Sequence, residues 1–328
     1  MYQSIFISPF WLNVLKKTYG LRIVLIQYVN HDRNGIKIFD YQLDNVKINF
    51  PYLPLVRNKS YSKLISLPFT DYVNIDNDIL KVIANSLLET YPNSIVEIRT
   101  SINDEKFEKK LIGYSHKLYL YDAIDNIYKK FKLTQVQQPI QKAFKEGLTY
   151  EISDDIQSVE NFYKLHLITR RKLGIPIQPK KFFFHIWNEI IKNGYGFIVL
   201  VYKNSKVISS GIFLGTGNTL IYKFSASNPE YLRLRPNNLM LWTAIQEAKR
   251  RGYSVFDFGR TEIENEGLRK FKLGWGTIEE PLYYSYYPQA PDDTKFKWIK
   301  NKIVAPIIRN SPKFVCRLSG ELFYKYFG

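Results

Sequence analysis

The chain has 328 residues, of which 45% are hydrophobic and 16% aromatic, and no low-complexity tract, which excludes a disordered protein and leaves room for two domains of ordinary size. One cysteine, Cys316, and four scattered histidines, His31, His116, His166 and His185, supply neither a disulfide partner nor a zinc-binding pattern, so thiol catalysis and metal chemistry are not expected. The net charge of +17 fits nucleic acid, a phosphorylated cofactor or an anionic lipid surface, and equally a solvated lysine-rich surface.

In chain order, Pro9 to Lys17 reads as a short helix. Leu21 to Tyr28 and Gly35 to Tyr41 read as strands joined by the turn His31 to Gly35. Leu64 to Phe69 is a strand expectation, with Pro68 placing it at an edge or a strand end. Asn77 to Thr90 reads as a helix with Ile79, Val82, Ile83 and Leu87 on one apolar face, and Ile95 to Arg99 and Lys117 to Tyr121 follow as strands. Asp122 to Glu146 reads mostly as helix, interrupted by Pro139 and stopped by Gly147. The second half then predicts a strand at Tyr150 to Ile152 and helices over Ile156 to Leu173 and Pro179 to Lys192. Strands at Gly196 to Tyr202, Val207 to Gly215 and Thr219 to Ala226 come next.

The most informative stretch is Arg233 to Gly276. Pro236 and Asn237 sit where a helix should begin, Leu241, Ala244, Ile245 and Ala248 keep helical spacing, and Gly252 stops it. Val255 to Phe258 reads as a short strand with Asp257 opposite Phe256 and Phe258. A carboxylate in an apolar strand costs free energy unless it is paired or used. Gly259 permits a sharp turn, and Arg260, Glu262, Glu264 and Glu266 crowd the loop beyond the strand's carboxyl end, the edge where open α/β sheets place ligands. A short helix from Glu266 and a strand at Pro281 to Tyr287 complete the set.

The segments Ser225-Ala-Ser227, Pro236-Asn-Asn-Leu239, Val255-Phe-Asp-Phe-Gly-Arg260 and Glu266-Gly-Leu-Arg-Lys-Phe-Lys-Leu-Gly-Trp-Gly276 resemble the Fem-like branch of the GNAT acyltransferase superfamily. Gln141 to Gly147, Phe162-Tyr163 and Arg171-Lys-Leu-Gly174 are similar to the same branch. The resemblance runs from about Leu67 to Tyr287. It implies an α/β (α+β) fold of two tandem GNAT-like domains with mixed sheets, the first degenerate. On that reading residues 1–148 form the degenerate domain, 149–290 the acyltransferase domain and 291–328 a basic helical tail. Leu67 to Arg99 parallels Ser225 to Arg260 in the order strand, loop, helix, strand, although two unrelated α/β halves remain the alternative.

The best-known members of this branch are peptidoglycan interpeptide-bridge aminoacyltransferases, so the resemblance implies an enzyme that moves an acyl or aminoacyl group from acyl-CoA or aminoacyl-tRNA to an amine of an envelope or polysaccharide precursor. It puts the donor's phosphates at Arg233-Leu-Arg-Pro-Asn-Asn238, through Arg233, Arg235, Asn237 and Asn238. The glycines common in acyl-CoA loops are absent there, and Pro236 lacks an N–H. The two arginines either grip phosphate or line a solvated loop. The resemblance further implies that Lys272, after Phe271, stabilises charge on the acyl carbonyl. Lys270 and Lys272 as exposed helix charges are the alternative. Asp257 braces Arg260 across the turn or accepts the amine proton. The carboxylates of Glu262, Glu264 and Glu266 bind a cationic acceptor, serve as bases or simply face water, and Tyr222 hydrogen-bonds a carbonyl or leaving group or is an ordinary aromatic.

From Lys295 to Gly328 eight basic residues meet one acid, interleaved with apolar side chains and broken by Pro306 and Pro312. Such a tail docks on an anionic membrane or packs on the core. No apolar run reaches the roughly 20 residues a bilayer span needs and no secretory signal pattern opens the chain, so a cytoplasmic location is expected, with the inner membrane face as the place of any peripheral contact. Two readings from other classes stay open: a non-catalytic tRNA- or nucleic-acid-binding protein of the same fold, and a membrane-peripheral scaffold.

Overall fold

The computed structural model describes residues 4–28, 36–42, 52–57, 63–67, 70–73, 75–292 and 300–323. The chain divides into two compact units, one of residues 2–114 and 281–291, the other of 115–280 and 292–328.

In the first unit, helix α1 (Pro9–Tyr19) starts at Ser8, whose hydroxyl accepts from the Trp11 N–H, and ends at Gly20 in the left-handed conformation. Strands β1 (Ile23–Tyr28) and β2 (Ile36–Asp40) pair antiparallel, and the expected turn between them lies outside the described residues. β3 (Tyr52–Arg57), β4 (Lys63–Ile65), β5 (Ile95–Ile98) and β13 (Ile278–Tyr287) extend the sheet in the order β2-β1-β3-β4-β5-β13. β3 is a strand that the sequence pattern did not signal, because it carries Pro54 and prolines normally keep to sheet edges. Here Pro54 faces Leu25 while the strand is bordered on both sides. The Leu64 to Phe69 strand shortens to Lys63–Ile65, and Pro68 falls outside the described residues.

Helix α2 (Asn77–Thr90) spans the expected residues because Asp76 caps it through the N–H groups of Asp78 and Ile79. Its buried face is Leu80, Ile83, Ala84 and Leu87, whereas Val82 points to solvent, so the apolar stripe is rotated by about one position from the spacing expected. Strands β4 and β5 are parallel with α2 as their crossover, over a core of Ile26, Leu53, Leu80, Ile83, Val96 and Ile98.

In the second unit the sheet runs β6-β11-β10-β9-β8-β7. β6 (Glu108–Tyr119) begins nine residues before the expected Lys117, because its charged opening hides the alternation. β8 (Gly196–Lys203), β9 (Lys206–Thr216) and β10 (Thr219–Ser227) form an antiparallel meander, and β7 (Thr149–Ser153) pairs antiparallel with β8 after a long helical connection. β11 (Val255–Asp257) then pairs parallel with β10 through helix α7 (Pro236–Arg250). The same strand, helix, parallel strand arrangement therefore occurs in each unit. A two-residue strand, β12 (Thr261–Glu262), joins β6.

Around the sheet, the stretch Asp122 to Glu146 is three pieces: α3 (Ile124–Lys129), a π-helical turn over Leu133–Gln137, and α4 (Gln138–Lys145). Pro139 opens α4 rather than breaking a longer helix, since the first turn needs no donor at that position. Helix α5 (Ile156–Leu173) ends at Gly174 in the left-handed conformation. α6 (Lys180–Ile186) follows, and α8 (Glu266–Leu273) is capped by the Asn265 side chain. The core gathers Phe197, Phe213, Leu239, Trp242, Phe256 and Trp275. Rings at 5–6 Å stack or meet edge-on, as in Phe213 with Tyr222 and Phe131 with Trp275.

The last described helices, α9 (Ala305–Asn310) and α10 (Lys313–Phe323), pack on α5. Pro306 sits in the first turn of α9, so it starts a helix, whereas Pro312 separates the two. No helix among the described residues is long and apolar enough to cross a membrane.

Candidate active site

The site begins where β10 and β11 stop pairing. Their parallel register runs Thr219 with Val255, Leu220 with Phe256 and Ile221 with Asp257. Beyond that point β10 continues to Ser227 beside β9, through a bulge between Tyr222 and Phe224, while β11 ends. A bulge places one extra residue, here Lys223, and re-aims the strand.

Asp257, at the end of β11, is 0% exposed. Its carboxylate accepts from the Gly259 N–H at 2.7 Å, and Gly259 turns the chain at φ +70°, where a side chain would be strained. The next turn is held from the opposite direction. Lys272, on α8 and 3% exposed, donates its ammonium to the carbonyl oxygens of Gly259 at 2.9 Å and Arg260 at 3.1 Å. A lysine is almost never buried without partners, and two charge-assisted hydrogen bonds to one loop answer that requirement. The expectation of an exposed helix charge holds for Lys270, which lies 3.7 Å from Glu266 on the solvent side, and not for Lys272. The Arg260 guanidinium is 3.5 Å from Glu262, and Glu262, Glu264 and Glu266 are exposed.

A second layer, which sequence reasoning missed, closes a ring around Lys272. His116 on β6 is fully buried, with Nε2 2.9 Å from Glu279 on β13 and Nδ1 3.4 Å from the Thr261 hydroxyl on β12. Glu279 also accepts both arms of Arg269, at 2.6 Å each, and Arg269 is on α8 three residues before Lys272. The path from Lys272 through Gly259–Arg260, Thr261, His116, Glu279 and Arg269 thus returns to the helix it left. Burial first, then the positive charge of Lys272, hold the His116 imidazole below its usual range, against the pull of Glu279. A neutral ring fits both contacts, donating from Nε2 to the carboxylate and accepting from Thr261 at Nδ1. The hydrogen bonds of Arg269 keep the Glu279 carboxyl below the usual range in turn. No signal in the sequence announced this ring, because His116 and Glu279 are 163 positions apart.

Tyr222 follows Ile221, the last residue of β10 that pairs with β11. It is half-buried, stacked on Phe213 at 5.4 Å and edge-on to Phe258 at 6.4 Å. Burial pushes its hydroxyl up to about 12, so it is a neutral donor at any ordinary pH.

The start of α7 is built differently from what a glycine-rich loop would give. Arg235 adopts the left-handed conformation at φ +64°, and its carbonyl receives the N–H groups of Asn238 and Leu239. Asn237 accepts from the Ser209 hydroxyl at 2.7 Å, and Asn238 donates to the Gln135 carbonyl at 3.3 Å. The two asparagine side chains therefore anchor the helix start to β9 and to the π-helical turn, while Arg233 and Arg235 are exposed. The structure brings Asp257, Arg260 and Lys272 together through one short backbone segment. Arg233, Arg235, Asn237 and Asn238 gather at the beginning of α7.

Residues 130–276 match the family described as Acetyltransferase (GNAT) domain. The chain is 29% identical over 108 residues to a lipid II:glycine glycyltransferase of Staphylococcus epidermidis, covering 27% of this chain and 26% of that protein. It is 30% identical over 114 residues to the protein of the same name from Staphylococcus saprophyticus, covering 32% and 28%. The chain thus spans about a quarter of the length of the curated relatives it matches. Among solved structures it shares its fold with FemX, at a TM-score of 0.66 and 15% identity over 90% of this chain and 94% of that one. It also shares it with the C-terminal domain of a putative lysylphosphatidylglycerol synthetase from Agrobacterium fabrum, at 0.53 and 12% over 76% and 85%. With the strand–helix–strand unit found twice and the motifs that end at Gly276, these likenesses support a place for the chain in the Fem-like branch of the GNAT superfamily, the GNAT domain itself being matched over residues 130–276.

Proposed function

We propose that this protein is an aminoacyltransferase of cell-envelope synthesis, which moves an aminoacyl group from aminoacyl-tRNA to an amine on a lipid-linked precursor. The observation that carries the reading is the buried Lys272 ammonium, fixed by the Gly259 and Arg260 carbonyls at the carboxyl end of β11. In acyl transfer the amine nitrogen attacks the ester carbonyl, a tetrahedral oxyanion forms, and its collapse breaks the bond to the ribose oxygen. The proton lost by the amine equals the one gained by that oxygen. A cation held beforehand in a water-poor position stabilises the oxyanion without reorganising when it forms.

In this reading Lys272 supplies that charge, Asp257 and Arg260 keep the turn that presents it, and the neutral Tyr222 hydroxyl donates to the carbonyl or leaving oxygen. Arg233 and Arg235 hold donor phosphate, with Asn237 and Asn238 fixing the helix start from which they project. The exposed Glu262, Glu264 and Glu266 attract an ammonium-bearing acceptor. A tRNA donor is favoured over acyl-CoA by three facts. Pro236 removes an N–H from the place where a pyrophosphate is otherwise cradled, the net charge is +17, and the curated relatives are named as glycyltransferases. Transfer of labelled amino acid from aminoacyl-tRNA, run beside acetyl-CoA with the same amine acceptor, tests it. Label moving only from acetyl-CoA would replace the donor, and label moving from neither would remove the activity.

A further inference from the structure

The two last described helices carry apolar side chains on the wrong side for a protein surface. Their inward residues are already committed: Ala305, Ile308, Cys316 and Gly320 are buried, and a Cβ on Gly320 would stand 2.3 Å from the Ile177 carbonyl. The pair is further tied to the core by Arg171 donating to the Ser311 carbonyl, Arg309 to the Leu173 carbonyl, and the Lys180 N–H to Glu321. Yet Ile307 is 60% exposed, Phe314 65% and Leu318 57%, with Ile303 also exposed. Phe314 and Leu318 stand four residues apart on α10, so they lie on one helical row turned away from the core, and Ile303, in the π-helical turn Lys300–Val304 that leads into α9, is exposed as Ile307 is. This is a row of large apolar groups that no described element covers.

The charges beside that row have one sign. Lys302, Arg309, Lys313 and Arg317 are exposed, and Lys313 and Arg317 form the row next to Phe314 and Leu318. The single acid of the segment, Glu321, is the one that accepts from the Lys180 N–H. Apolar groups flanked only by cations complement a surface with negative headgroups above hydrocarbon, where basic side chains pair with phosphates and the apolar row enters the acyl boundary. A protein partner would have to offer acidic groups around an apolar groove, and nothing in the chain calls for one.

We propose that α9, α10 and the π-helical turn leading into α9 form a dock for an anionic lipid bilayer, seating through Ile303, Ile307, Phe314 and Leu318 and held by the four basic residues around them. The proposal goes beyond the transferase reading and does not depend on it.

The test is cosedimentation of the full chain with vesicles of phosphatidylcholine alone, and of about three parts phosphatidylcholine to one of phosphatidylglycerol. The expected result is binding to the second kind only, weakening as salt rises. The variant Ile307→Ser, Phe314→Ser, Leu318→Ser should lose roughly tenfold or more of its partitioning, with an unchanged melting temperature because these side chains are exposed. Reversing charge with Lys313→Glu and Arg317→Glu should cost more than about tenfold, at roughly fivefold per neutralised cation, and reads independently should the serine variant misfold. Wild type remaining in the supernatant with both vesicles, or variants sedimenting like wild type, overturns the proposal. So does a wild-type dimer that the serine variant turns into a monomer while vesicles never bind, which would assign the row to a second copy of the chain.

Discussion

The ammonium of Lys272 donates to the Gly259 carbonyl at 2.9 Å, from a position that is 3% exposed. Gly259 is where the chain turns after β11, so this hydrogen bond ties a buried positive charge to the path of the loop. Lys272→Ala removes the charge and leaves two carbonyls without their donor. If the ammonium serves the oxyanion, turnover falls by about 10² to 10³ while donor affinity stays nearly constant. Single-turnover rates at saturating donor, beside donor titration, separate the two. A loss confined to affinity would make Lys272 a binding residue.

The ring through His116, Glu279 and Arg269 predicts a particular failure. Glu279→Gln weakens the double hydrogen bond from Arg269 and the contact to His116, and should cost about 1.5–3 kcal/mol of stability. Its effect on rate should pass through Lys272, so Glu279→Gln in the Lys272→Ala background should slow turnover little further. Additive losses in the double variant would place Glu279 outside that route.

Two buried histidines fix the acid behaviour. His166 is stacked on Phe162, bonds Gln178 through Nε2, and is held down to about 3, by burial first and then by Arg170. His116 is lowered as well. The unfolded chain takes up these protons near pH 6.5 and the folded chain does not, so protonation favours unfolding. Stability should fall as pH drops below about 6.5, and for His166 this continues towards pH 3, at up to about 1.4 kcal/mol per pH unit for each histidine. His166→Phe should flatten the slope of melting temperature against pH. An unchanged slope would mean that His166 titrates normally.

Much of the architecture was legible because the local signals agreed. The expected bounds of α2 and α5 match the structure to the residue, where Asp76, Asp155 and Gly174 cap them through neighbours in sequence. β3 was not legible, since Pro54 contradicts what a bordered strand normally tolerates, nor was the front of β6, where Glu108, Lys109 and Lys110 obscure alternation. In the site, Asp257, Gly259 and Lys272 stood out because they share one motif within 16 residues. Glu279 and His116 did not, because their meaning comes from pairing across the fold. Val82, expected to face inward, shows the limit of periodicity alone, since a stripe one position wide of its true centre still scores as amphipathic.

Arg233 and Arg235 are exposed at the start of α7. Replacing either with Ala should weaken tRNA binding and lower the slope of log affinity against log salt by about one for each phosphate no longer gripped, with the rate at saturation almost unaltered. An unaltered slope would return these arginines to the solvated surface.

The most direct measurement is the single-turnover transfer of labelled amino acid from aminoacyl-tRNA to an amine-bearing, lipid-linked envelope precursor, with wild type and Lys272→Ala side by side. Wild type should transfer the label, and the variant should do so at a rate at least about 100-fold lower at equal donor occupancy. Equal rates in the two proteins, or no transfer by wild type while the donor is bound, would contradict the proposed function.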